Sequence, residues 1–151
     1  MKSVKHMLQI ISLLLATLCL ASCSAKPSEI RYYCSETQVE FLDRLETEKP
    51  VFAIYYQNWE TSNRFTIMDA ETICALAQTL SEIQIESSTE RYSTDNDNIF
   101  VFMMENETKY SFYFNDRNFE AEDGKLYTTS NETAFWNLAS RIAEEEINAC
   151  S

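Results

Sequence analysis

Histidine and glycine are almost missing from this 151-residue chain: each occurs once, as His6 and Gly124. A lone histidine at position 6 leaves residues 7–151 with none. That excludes Ser-His-Asp and Cys-His catalysis there, together with every metal site that relies on imidazole. A phosphate-cradling loop, a dinucleotide fingerprint and a G-x-S-x-G elbow each need two or more glycines, because backbone must approach the ligand or adopt positive φ. One glycine cannot build any of them. Positive charge is also scarce, with 12 basic residues against 24 acidic ones and a net charge of −12. Such a chain is repelled by nucleic-acid phosphate, so no nucleic-acid partner is expected.

What the chain does have begins at its start. Lys2 and Lys5 form a short positive segment, and an apolar run from Met7 to Ala21 follows. A spanning helix needs roughly 20 apolar residues. This run offers fewer and is interrupted by Gln9, Ser12 and Thr17, so it reads as an export signal and not a span. It ends Leu20-Ala21-Ser22-Cys23, which resembles the lipobox of bacterial lipoproteins at all four positions.

That resemblance implies a diacylglyceryl group on the Cys23 thiol and cleavage between Ser22 and Cys23. It also implies an extracytoplasmic domain, lipid-anchored to a bacterial membrane (cell membrane or outer membrane). One acyl chain gives only reversible attachment, whereas the two or more implied here hold firmly. Loss of residues 1–22 removes Lys2 and Lys5, so ten basic residues face 24 acidic ones, a net charge of −14. The acidic surface is then expected to serve solubility and keep the domain off its own membrane, with a basic partner as the weaker alternative. Residues 23–34 are expected to be the lipidated N-terminus and a tether, and residues 35–151 a single domain. A ten-residue tether would reach at most ~35 Å.

Aromatic residues make up 13% of the chain, enough for a compact core in one domain of this length. Ser35-Glu36-Thr37-Gln38 has the form of a capping box, and Phe41, Leu42 and Leu45 recur at helical spacing up to about Glu46. Pro50 closes that helix. Val51–Gln57 reads as a mostly buried strand and Arg64–Met68 as a second, with Phe65 and Ile67 inward. Asp69 caps a helix to about Ile83, whose stripe is Ile73, Leu76, Ala77, Leu80 and Ile83.

Ile85–Tyr92 is a weak polar strand near an edge. Ile99–Met104 and Lys109–Asn115 form a strong pair, and Asp123-Gly124 suggests a type I′ hairpin joining Asn118–Glu122 to Lys125–Thr128. A last helix covers about Asn131–Ile147, with Phe135, Leu138, Ala139 and Ile142 on one face and Trp136 and Ala143 widening it. This order predicts an α+β fold: a single antiparallel sheet of about five to seven strands, helices packed on one face, and a short N-terminal helix first.

Three cysteines remain beyond the lipidated one, Cys34, Cys74 and Cys150. They allow three single pairings, in a compartment that permits disulfides. Cys34 and Cys150 flank the first and last helices and are the expected pair, while Cys74 reads as a small buried hydrophobe. Asp95-Asn96-Asp97-Asn98 resembles the opening of a calcium loop, but Phe100 and Asn106 stand where glycine and glutamate are required. It reads as a polar turn, and neither a metal nor a cofactor is expected.

Tyr55, Tyr56 and Trp59 cluster where the first strand enters its loop, and such rings could stack on a sugar or grip a peptide. Glu144-Glu145-Glu146 is a solvated helix end. The expected function is a non-enzymatic, lipid-anchored interaction module that meets an envelope protein, peptide or glycan. The alternatives are a carboxylate- or tyrosine-dependent hydrolase acting on cell-wall material and a purely structural envelope lipoprotein.

Overall fold

A computed structural model describes residues 28–58, 63–89 and 96–149. Among these described residues three α-helices and seven strands alternate irregularly, as in α+β proteins. The helices are α1 (Glu36–Arg44), α2 (Ala70–Ser81) and α3 (Thr133–Ala149). The strands are β1 (Phe52–Gln57), β2 (Asn63–Ile67), β3 (Gln84–Thr89), β4 (Asp97–Met103), β5 (Lys109–Asn115), β6 (Asn118–Glu120) and β7 (Leu126–Ser130). All seven form one antiparallel sheet in the order β2-β1-β4-β5-β6-β7-β3. Since β2 and β3 lie at opposite edges, the connection carrying α2 crosses the whole sheet.

Local chemistry starts α1 and α2 where the sequence predicts. Ser35 Oγ accepts a hydrogen bond from the Gln38 N–H, and the Ser35 N–H donates in return to Gln38 Oε1 at 2.9 Å. Asp69 accepts from the Thr72 N–H at 2.8 Å, satisfying an orphan donor of α2. The polar strand β3 lies at a sheet edge, as its composition suggests, and carries a register irregularity between Ile85 and Ser87.

One expectation is corrected at the β6–β7 turn. A type I′ turn needs positive φ at both central residues, yet here Gly124 alone is left-handed, at φ +74°. The Gly124 N–H donates to Ala121 O, and the Ala121 N–H to Lys125 O. That is the three-residue hairpin with glycine at the bulge position.

The core is aromatic and lies on one side of the sheet. Phe41 of α1 stacks on Phe102 at 4.9 Å between centroids. Phe135 and Trp136 of α3 pack against Phe100 and Phe114. Ile73, Leu76, Ala77 and Leu80 of α2 complete the same buried cluster. All three helices therefore cover one face, here called the front.

Packed structure also starts earlier than Ser35. Ile30 is fully buried and its N–H donates to Ile83 O, while Glu29 bridges Gln84 at the outer edge of β3. A short 3-10 turn over Ile30–Tyr33 then leads into α1.

Candidate interaction face

Side chains alternate between the two faces of a strand, and among the described residues helices cover only one face of this sheet. The uncovered back face should then be polar. Across β1, β4 and β5 it is not. Phe52 stands opposite Met103, Ile54 opposite Val101, Tyr56 opposite Ile99, and Ile99 in turn opposite Tyr113. The first six are half-buried by one another, and Tyr113 is 44% exposed. Among the described residues no helix lies across them. Arg64 and Thr66 border this apolar strip on the β2 side, and Lys109 and Ser111 on the β5 side.

Toward one end the back face turns polar. The Asn115 side chain is buried and its Nδ2 donates to Asp97 Oδ1 at 2.6 Å. Glu120, opposite Tyr113 on β6, is half-buried. Burial, reinforced by the Asp97 charge, holds its carboxyl above the usual range.

The residues singled out from sequence are dispersed. Tyr55 belongs to the core and is not available to a ligand: its ring lies 4.4 Å from Phe100 and nearly parallel to it. Its hydroxyl donates to Asn98 Oδ1 at 2.9 Å, and burial pushes its pKa up to about 12. Tyr56, the next residue, necessarily points to the back face. Adjacency in sequence therefore separates the two rings where a loop would have gathered them. Trp59 lies outside the described residues, as do Ser22, Cys23, Cys150 and Asp95.

Asp97 and Asn98 open β4 and point to opposite faces, with Asn98 Nδ2 donating to Asp116 O and Asn96 O. Both side chains are committed to the fold. Cys34 is half-buried, and desolvation raises its thiol to about 12 against the opposing charge of Arg31, which disfavours a reactive thiolate. Cys74 is half-buried on α2, less enclosed than expected.

The apolar back face is the feature that sequence reading passed over. Its signal was present: Phe52-Ala53-Ile54-Tyr55-Tyr56 and Ile99-Phe100-Val101-Phe102-Met103 are continuous apolar runs where a half-covered strand alternates. Such runs mean two apolar faces, and only the tertiary structure shows that no described helix covers one of them. No protein-family model, curated protein or solved structure matches this chain.

Proposed function

We propose that this protein is a lipid-anchored interaction domain of the bacterial envelope, which binds another envelope protein through the open face of its sheet. The apolar strip on β1, β4 and β5 carries this reading. A contiguous, partly exposed apolar patch marks a contact surface, because leaving apolar area in water costs about 25 cal/mol per Å². The Leu20-Ala21-Ser22-Cys23 lipobox supports the anchor.

The start of the packed structure sharpens the picture. With Ser28 hydrogen-bonded to Ile85 of β3, only five residue steps separate Cys23 from the fold, a reach of at most ~18 Å. The β3 end of the sheet is then held close to the bilayer, and β1 and β4, several strands away, stand free for a neighbour.

Two measurements test the reading. Intact-mass analysis should give a product starting at an acylated Cys23, and Cys23→Ala should release the protein from membranes. A photo-crosslinking residue at Val101 should capture one discrete partner on intact cells, whereas the same residue at Glu71 on α2 should not. Equal capture from both positions, or from neither, would reject the interaction face.

A further inference from the structure

A second recognition element lies on the margin of that face. We infer that the groove along the free edge of β5 takes an extended, basic polypeptide segment of the partner by strand addition. The inference rests on the interaction reading above and names the chemistry of what is bound.

The groove exists because β6 is short. It pairs with Tyr113–Asn115 only, so among the described residues Lys109–Phe112 has no strand on that side. Backbone direction there follows from the ladder. Met103 turns its carbonyl toward β1, accepting from the Val51 N–H, so its opposite residue Lys109 exchanges no bonds with it. Two residues on, Ser111 has the same orientation. Gln38 Nε2 verifies this by donating to Ser111 O from the free side at 2.8 Å. The Ser111 N–H and the Lys109 backbone therefore face the groove, where an added strand would meet them.

The cavity measures about 440 Å³, within the range of ligand sites. The start of α1 (Ser35 and Gln38) forms one wall and Ala121 and Glu122 form the other, with Ser111 and Tyr113 between them.

Charge selects the occupant. Glu120 and Glu122 both line the groove, and among the described residues neither is in an ion pair. Burial and then the Asp97 charge raise the Glu120 carboxyl, and a cation brought beside it would oppose both effects. Among the described residues Lys109 is the one cation lining the cavity, and the chain as a whole is strongly acidic. A lysine- or arginine-bearing strand supplies what Glu120 and Glu122 lack, and the exposed ring of Tyr113 gives its aliphatic stems a surface to lie on.

The experiment uses the full-length protein purified in nonionic detergent. The probe is a capped heptapeptide of alternating lysine and valine, and the control has glutamate in place of each lysine. The basic peptide should bind and slow amide exchange at Ser111, and the acidic one should not. Ser111→Pro removes the edge N–H without touching the β4 ladder, and should weaken binding about tenfold or more. Glu120→Gln combined with Glu122→Gln should weaken it and flatten its salt dependence.

Equal binding of both peptides overturns the inference, as does unchanged affinity in a folded Ser111→Pro protein. If that variant does not fold, the wild-type exchange decides, and an unprotected Ser111 amide is a refutation. Crosslinking from Val101 separates the two readings. Persistent capture alongside a failed peptide test rejects the groove alone, and loss of both rejects the interaction domain as well.

Discussion

Left-handed backbone among the described residues is carried mostly by asparagine and aspartate, with one glutamate. Asn58, Asp116 and Asn131 lie at φ between 50° and 58°, and Glu107 at 64°, beside the single glycine at 124. Asparagine and aspartate tolerate that region through local hydrogen bonds, whereas glutamate has no such compensation. Glu107 is exposed in the β4–β5 turn, so Glu107→Gly should stabilise the fold by about 0.5–1 kcal/mol. An upward shift of the urea midpoint without a change in slope would verify it.

A second residue-scale prediction concerns pH. The Glu120 carboxyl is raised in the folded state, first by burial and then by Asp97. A raised acid contributes fully below its unfolded pKa, and that contribution fades as pH climbs through the folded value. Glu120→Gln should therefore melt with the wild type at about pH 4 and above it at about pH 7. Coincident melts at both values would disprove the assignment. Asp69 behaves oppositely: its hydrogen bonds from Thr72 lower its pKa, so its capping support is lost as pH falls through the folded value.

At the scale of elements, the sequence was most legible where the determining interactions are local. The α1 capping box, the Asp69 cap of α2 and the apolar stripe of α3 all appear where their spacing places them. Each depends on contacts within four residues, which sequence displays directly. Ser35→Ala should cost about 1 kcal/mol by thermal denaturation. Gln38→Ala should cost more, because Gln38 also binds the carbonyl of Ser111, far away in sequence. Equal costs would mean that this long-range bond adds nothing.

The same locality explains the misses. The Asp123-Gly124 dipeptide suits two hairpin geometries, and the three-residue form won, closed by the bond between the Ala121 N–H and Lys125 O. Tyr55 and Tyr56 looked like a cluster because they are adjacent, although strand alternation sends one into the core and one to the back. The first buried residue among those described, Ile30, could not be placed by pattern, since its partner Ile83 is distant in the chain.

For the whole molecule, the two faces of the central strands make contrasting demands. Phe100→Ala removes a ring that touches Tyr55, Phe114, Phe135 and Trp136, and should cost about 3–5 kcal/mol. Val101→Ala, one residue along on the back face, should cost less than about 1 kcal/mol while reducing partner capture. Comparable losses of stability would show that something within the chain covers the back face.

The sequence by itself determined the class of fold and the approximate positions of most helices and strands, and it holds a single histidine and a single glycine. These follow from periodicity, capping and composition, which are properties of neighbours and of counts. Tertiary structure decided the strand order, the shared covering of one face by all three helices, and the free stretch of β5 beyond the short β6. Those outcomes depend on which distant segments meet, and an apolar run reads the same whether its second face is buried or left open for a partner.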